Sequence, residues 1–389
     1  MKQREVAIAG AGPAGLAAAL ALHRLGHRVT IFDQYDAPMP IGSGLILQPT
    51  GLSVLDWLGL GKRMRCLGAT IDRLYGKSAG SARVVLDVRY QALGILRGLA
   101  VHRAGLFNVL HDAVKSAGIE VRTASKVNDL DKSCLILDKG WREGPFDFVI
   151  DALGSRSPLI PYASGPDHRS PLSYGAIWAS LPWPGKPFEG NSLEQRYHKA
   201  SVMIGVLPIG KRFETDEQQA AFFWSLKASN YAAWKLDGLE NWKARVRQLW
   251  PETEGLLASI VHQDQMTMAS YDHHTLSLPF GERLVFIGDS AHSTSPQLGQ
   301  GANMALLDVM ALTEALEKHK DLPEAFTAYA RARRLHVKLY QALSRAFTPF
   351  YQSDSAVLPL MRDYLVAKIS RFPPAQKFLA SIVAGKLGL

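Results

Sequence analysis

Residues 6–25 read VAIAGAGPAGLAAALALHRL, a short apolar run, three spaced glycines and an Ala/Leu-rich stretch that stops at Gly26. Val6 to Ala9 read as a buried strand, Gly10, Gly12 and Gly15 spell G-x-G-x-x-G, and the Ala/Leu run reads as a helix with Ala14 in its first turn. This order of strand, turn and helix is what a dinucleotide-binding fingerprint requires. Gly10 allows the tight turn, Gly12 the close approach of a pyrophosphate, and Gly15 the packing of helix on strand. The free N–H groups and the dipole of the helix start then face the phosphates. A second strand, Arg28 to Phe32, leads into Asp33 and Gln34, near the spacing of about 20 residues at which a carboxylate holds a ribose. An acid there favours an unphosphorylated ribose, as in FAD or NAD. The bland alternative is a chance glycine turn in another α/β protein.

A second glycine-rich element lies almost the whole chain away. Residues 283–303 read RLVFIGDSAHSTSPQLGQGAN. Arg283 to Ile287 form an apolar strand, Gly288-Asp289 close it, and Gly299, Gly301, Ala302 and Asn303 open an apolar helix running to about Glu317. This stretch resembles the GD motif of class A flavoprotein monooxygenases, the group containing para-hydroxybenzoate hydroxylase and the ubiquinone-pathway hydroxylases. The resemblance implies that Asp289 binds the ribityl chain of FAD and that the loop from Pro296 to Asn303 lies along the isoalloxazine. A helix N-terminus aimed at the flavin would stabilise the negative charge that appears on reduction.

The resemblance extends between the two ends. Residues Gly42 to Gly61 look like the family's flavin-side loop and its following helix. Arg103, in LAVHRAGLFNVLHDAV, falls where the family has an arginine contacting FAD; its bland reading is a solvated cation at a helix start. Val127, after the strand-like EVRTASKV, falls where the family meets the adenine through backbone atoms. One signature departs from the pattern. The family's middle motif contains Asp-Gly, whereas DFVIDALGSRSPLI keeps Gly154, Arg156 and Ser157 but has Leu153 at the aspartate and Ile160 at the last arginine. Asp151 carries a charge two residues away, on a strand end where it need not point the same way. The D-A-x-G-x-x-S spelling is closer to flavin-dependent halogenases and prenyl reductases of the same fold, which puts direct use of NAD(P)H in question.

Composition bounds the rest. With 389 residues, 47% hydrophobic and 20% charged, the chain can bury a sizeable core. Two cysteines, Cys66 and Cys134, are too few for a disulfide framework or a thiolate metal site, and the twelve histidines show no metal spacing. The first strand starts close to Met1, which leaves no room for a signal peptide, and no segment reads as membrane-spanning; a cytoplasmic location is expected. The net charge of +9 would draw anionic FAD, NAD(P)H and an anionic substrate. No dense basic block suggests nucleic acid. The C-terminal stretch RDYLVAKISRFPPAQKFLASIVAGKLGL mixes basic and apolar residues; it reads as packing on its own domain or a second subunit before it reads as a membrane-surface segment. Monomer and homodimer both remain open.

The expected architecture is α/β: a Rossmann-type FAD-binding domain over residues 1–72, 96–165 and 277–320, interleaved with a β-sheet substrate domain over 73–95 and 166–276, then C-terminal helices over 321–389. Four strand-like runs lie in the sheet region: SYGAIWASLPW, SLEQRYHKA, SVMIGVLPIG and QAAFFWSLK. In the last, alternation sets Phe222 and Trp224 on one face and Phe223 and Ser225 on the other. One aromatic face would suit a flat apolar substrate; packing against protein explains either face equally well. Phe326 to Phe347 reads as one long amphipathic helix.

The resemblance implies an enzyme that hydroxylates an aromatic or polyketide-like small molecule with NAD(P)H and O2 through a flavin C4a-hydroperoxide. The cofactor carries the hard step, in keeping with the absence of a nucleophile triad or paired carboxylates. A catalytic base is not identified; Tyr174, Tyr197, His198 and Tyr271 are of suitable type. Two alternatives stay open. One is a flavoenzyme of other chemistry on the same fold, such as a prenyl-type reductase or a halogenase, although the Trp-x-Trp-x-Ile-Pro signature of halogenases is missing. The other is a protein that holds FAD without turnover.

Overall fold

The first strand, Glu5–Ala9, is buried along all but its first residue, so its apolar run has no polar face to show. It lies at the centre of a five-stranded parallel sheet with the strand order Leu284–Phe286, Phe148–Asp151, Glu5–Ala9, Arg28–Phe32, Glu120–Arg122. The structure, a computed structural model, describes residues 2–36, 43–81, 83–366 and 372–389. Gly42, the first residue of the predicted flavin-side loop, lies outside the described residues, as do residues 367–371 of the C-terminal stretch.

Alternation along the central strand sends its side chains to two layers. Val6 and Ile8 pack on the glycine-motif helix Pro13–Arg24 and on the helix Gly301–Lys318, through Leu16, Leu306 and Leu312 among others. Ala7 and Ala9 face a small antiparallel sheet of Val127–Asp131, Cys134–Leu137 and Arg142–Glu143. Because all five strands run parallel, the carboxyl ends of Glu5–Ala9, Arg28–Phe32, Phe148–Asp151 and Leu284–Phe286 share one edge. The two glycine-rich elements, 280 residues apart in the chain, are thereby brought to the same edge, where open α/β sheets bind their ligands.

A second, seven-stranded sheet has the order Thr267–Ala269, Tyr174–Pro182, Gln219–Lys227, Val202–Gly210, Ser192–His198, Arg73–Ser78, Val84–Arg89. Its neighbours are antiparallel except for Ser192–His198 with Arg73–Ser78. On one face Ile177, Ile204, Phe222 and Trp224 meet Trp234, Trp242 and Trp250 from the helices Tyr231–Asp237 and Leu239–Leu249 and the turn after them. Phe222 and Trp224 are therefore core residues, and the other face carries Trp178 and Phe223, directly paired across two strands with ring centroids 4.6 Å apart. The helices over 231–249 were not anticipated from the sequence. Their signal is there in LENWKARVRQL, where Trp242 and Val246 fall four residues apart on one buried stripe.

Two further expectations change in detail. The run EVRTASKV is not one strand: Glu120–Arg122 closes the parallel sheet, and Val127 starts a strand of the small sheet, with Ala124 at φ +48° between them. The long helix is longer than its apolar stripe suggests, Leu322–Tyr351, with Phe326, Tyr329, Arg333, Val337, Tyr340, Ser344 and Thr348 buried at spacings of three and four. The C-terminal helix Pro373–Val383 packs on its own chain through Ala380, Ile382 and Val383.

Candidate active site

The crevice at the carboxyl edge is built from glycines that no other residue could replace. Gly10 has φ +105°, and a Cβ there would lie 2.5 Å from the carbonyl oxygen of Ala152; a Cβ on Gly15 would lie 2.0 Å from the carbonyl oxygen of Gly10. Both clashes are with backbone, which cannot step aside. At Gly12, by contrast, a Cβ would meet nothing within 4 Å. Gly12 is also the N-cap of the helix Pro13–Arg24, which has no side-chain cap and no acid in its first turn. The N–H groups that a helix start cannot pair internally are thus left to face open space, with Ala14 and Gly15 in that turn.

Asp33 holds this turn to the end of the second strand. One carboxylate oxygen accepts the Ala11 N–H at 2.8 Å and the other the Tyr35 N–H at 3.1 Å, with the exposed Gln34 between. Each oxygen retains a lone pair for a hydroxyl.

The second motif meets the first at Gly288, φ +65°, where a Cβ would come within 3.3 Å of the side chains of both Ala305 and Ala14. The loop then turns Asp289 outward into the crevice, about 3.9 Å from where a Cβ of Gly301 would sit. Its carboxylate has a path to solvent but is ringed by protein, and this burial raises its pKa; Arg103, His292 and His274 pull in the opposite direction. Pro296 starts a short turn, Gly299 ends it in the left-handed region, and Gly301 and Ala302 begin a helix that again has no side-chain cap and no acid in its first turn. Asn303 differs from expectation. Its side chain is fully buried, with Oδ1 accepting the Gln48 N–H at 2.7 Å and Nδ2 donating to the carbonyls of Ile46 and Gly299. It clamps the helix start to the strand Gly44–Leu47 and leaves only its backbone to face a ligand.

Arg103 is the first residue of the helix Arg103–Ser116, where a cation opposes the helix dipole. The neutral imidazole of His102, its pKa lowered by burial to about 4, caps that helix by accepting the Ala104 N–H at 3.0 Å. Arg103 is exposed and its charge acts on both Asp289 and Tyr271. The Tyr271 hydroxyl accepts the Trp178 indole N–H at 3.1 Å. Burial raises the Tyr271 pKa, against the indole and Arg103, so the phenol keeps its proton at neutral pH.

The other base candidates lie elsewhere. Tyr197 donates to Gln195 at 2.8 Å beneath the Arg362 guanidinium, Tyr174 donates to Asp354 at 2.7 Å, and His198 is exposed at the end of its strand. Val127 is buried by its side chain, so only its backbone could meet a ligand.

Asp151 does not stand in for the missing aspartate. It is fully buried, one oxygen accepting the Leu153 N–H at 2.8 Å and the other the Ser157 hydroxyl, so it ties down its own loop from within. Burial pushes its carboxyl up to about 7 despite those two donors. Leu153 itself packs on the apolar cluster under the small sheet.

Behind the GD loop is a buried charge cluster that sequence reasoning missed. Asp308 accepts the Gly288 N–H at 2.9 Å, the His292 Nε2–H at 2.7 Å and the Arg333 Nε–H at 2.7 Å. Burial alone would raise its carboxyl, but the His292 and Arg333 charges outweigh it and hold the pKa low. A lone acid inside the apolar run NMALLDVMAL was the available signal.

A family model described as an FAD binding domain matches residues 3–136 and 166–342. The chain belongs to this FAD-binding domain family. Among curated relatives, hispidin-3-hydroxylase of Neonothopanus nambi is 27% identical, covering 93% of this chain and 91% of its own, and 3-hydroxybenzoate 6-hydroxylase 1 of Aquipseudomonas alcaligenes is 25% identical, covering 93% of each. The solved structure of Klebsiella pneumoniae HpxO with FAD and uric acid superposes with a TM-score of 0.81 over 99% of this chain and 98% of that one, at 20% identity. FAD is the cofactor of this FAD-binding protein, and the crevice suits it: open ground before two uncapped helix starts, and two carboxylates spaced along one sheet edge.

Proposed function

We propose that this FAD-dependent monooxygenase hydroxylates an aromatic or polyketide-like small molecule, with NAD(P)H as the reductant and O2 as the oxygen source. The observation that carries the reading is the crevice itself. Two uncapped helix N-termini meet there at Gly288, and Arg103, at the start of a third helix, acts electrostatically on both Asp289 and Tyr271, whose hydroxyl holds the Trp178 indole. When bound, FAD supplies electron transfer from the nicotinamide and activation of oxygen.

The chain's own residues bind and orient. Gly10, Gly12, Ala14 and Gly15 receive the pyrophosphate, Asp33 and Gln34 the adenosine ribose, and Val127 the adenine through its backbone. Arg103, Gly288 and Asp289 hold the ribityl side, while Pro296, Gly299, Gly301, Ala302 and the Asn303 backbone border the ring edge, where the helix dipole favours negative charge. Tyr271, held by the Trp178 indole and still protonated, donates a hydrogen bond to a substrate oxygen; it orients the substrate and does not act as a base. The reading keeps the interleaved FAD-binding and sheet domains with the boundaries read from the sequence, the flavin on the first and the substrate against the second. A cytoplasmic location and a monomer or homodimer complete the reading; among the described residues no helix is long and apolar enough to cross a membrane.

One observation favours a second reading. With Leu153 packed in a core and Asp151 turned inward, no carboxylate stands at the middle motif, which suits same-fold chemistry with a different reductant. Anaerobic mixing of the yellow protein with NADPH and then NADH, with and without a panel of phenols, separates the two. Bleaching of the flavin that accelerates with a phenol is the expected result. No bleaching with either nucleotide under any condition would overturn the NAD(P)H assignment and favour an external reductase.

A further inference from the structure

On the outer side of the GD loop the chain forms a further cavity of about 300 Å³, bordered by none of the motif glycines. Thr275, Ala291 and His292 line it from below, and the long helix Leu322–Tyr351 lines it from above with residues between Tyr329 and Arg345. Six of the lining side chains are basic, His168, His292, Arg333, Arg334, Lys338 and Arg345, and none is acidic. Arg334, Lys338 and Arg345 follow one another at four and seven residues, so they share a helix face and repel one another. All three are exposed and none has a carboxylate partner among the described residues. By contrast, Arg333 and His292 are already engaged by Asp308.

The cavity also holds polar atoms that lack partners. Gln341 is 4% exposed, and its Nε2 donates to the carbonyls of His274 at 2.9 Å and Ser293 at 2.8 Å. That pairing fixes the orientation of the amide and leaves Oε1, an acceptor, buried with only the His273 ring as a nearby donor among the described residues, short of good hydrogen-bond geometry; the Thr275 hydroxyl is buried and unpartnered. An unmade buried hydrogen bond is expensive, so the Thr275 hydroxyl, which can donate or accept, calls for a polar ligand, and the Gln341 acceptor favours one that also brings a donor. A carboxylate brings charge alone. A phosphate group brings both, because its protonated form has a P–OH, and an esterified sugar adds hydroxyls.

We propose that this cavity is a binding site for a phosphate ester, held by Arg334, Lys338 and Arg345 at its mouth and by Thr275 and Gln341 within. The volume is at the small end of ligand pockets and suits a phosphorylated sugar or the phosphate-bearing end of a nucleotide. Its floor residue His292 shares Asp308 with the Gly288 N–H, so an anion here sits one side chain away from the carboxylate that fixes the GD loop. Binding at this cavity does not depend on which substrate the enzyme hydroxylates.

The test is calorimetric titration of the FAD-loaded protein at low ionic strength with inorganic phosphate and with adenosine 2′,5′-bisphosphate, against chloride at matched ionic strength. Saturable single-site binding is expected, weakened by about tenfold or more in an Arg334→Ala/Lys338→Ala variant, as loss of charged hydrogen bonds implies. The Arg345→Ala variant, at the other end of the same helix face, should weaken it too, with FAD content unchanged in both. Competition between the bisphosphate and NADPH in the flavin-bleaching reaction would identify the co-substrate as the source of the phosphate; binding with no effect on NADPH would identify a separate phosphorylated ligand. Heats equal to those of chloride, or variants that bind phosphate as tightly as the parent, would overturn the proposal.

Discussion

The covered face of the seven-stranded sheet and the crevice at the carboxyl edge of the parallel sheet solve opposite problems. On the covered face Phe222, Trp224, Trp234 and Trp242 form a chain of edge-to-face rings with centroids 6.0 to 6.4 Å apart, and Trp242 is fully buried. Such packing adds stability through apolar area and aromatic geometry, enough to tolerate the unpartnered indole N–H groups of Trp234 and Trp242. The crevice side keeps small residues, uncapped helix starts and Asp289 facing outward, all of which forgo stability. Where the chain could have filled space it did so under the covered face, and it left open ground before the helix start at Gly12.

That contrast can be broken by three substitutions. The largest effect is expected from Trp242→Ala, which should lower unfolding free energy by about 3–5 kcal/mol in urea titration while the folded fraction stays yellow. Asp289→Ala should do the reverse, weakening FAD by about tenfold to a hundredfold and giving mostly colourless protein, with the urea midpoint of the flavin-free forms nearly unchanged. If Trp242→Ala sheds FAD from folded protein, or Asp289→Ala unfolds, the two regions are not separable.

The smallest effect concerns Asp151, at the end of the strand Phe148–Asp151 beside the glycine turn. Its carboxyl is raised by burial to about 7 from an ordinary 3.8. The folded state therefore keeps a proton that the unfolded chain releases, so this group's contribution to stability is full below about pH 4 and is lost as pH rises through 7. Asp151→Asn, which cannot titrate, should remove that decline. Denaturation midpoints of the two proteins from pH 4 to pH 8 should converge at the acid end, with the parent falling behind as pH rises; parallel curves would mean that Asp151 is ionised in the folded protein.

Much of the site was legible because the steric demands are local. Gly10 and Gly15 answer to backbone within the same turn and to the adjacent strand end, so a six-residue pattern suffices to find them. Asp33 was legible from spacing. Asp308 was not: its partners His292 and Arg333 lie 16 and 25 residues away on a loop and another helix, and only helix packing makes them neighbours. Asn303 was found as a motif residue, yet its side chain serves the strand Gly44–Leu47, donating to the Ile46 carbonyl 257 residues distant in the chain.

By itself the sequence determined the α/β class, the two glycine turns, the alternation of Phe222, Phe223 and Trp224, and the anomaly at Leu153, since each follows from short-range sterics or from the periodicity of strand and helix. Only the tertiary structure decided which aromatic residues pack beneath the helices over 231–249, that Asp151 points inward, that Tyr271 is within reach of the Arg103 charge, and that a basic cavity lies behind the GD loop. These depend on which surfaces meet. A periodic pattern states that a residue has a side; packing between distant segments states what lies on it.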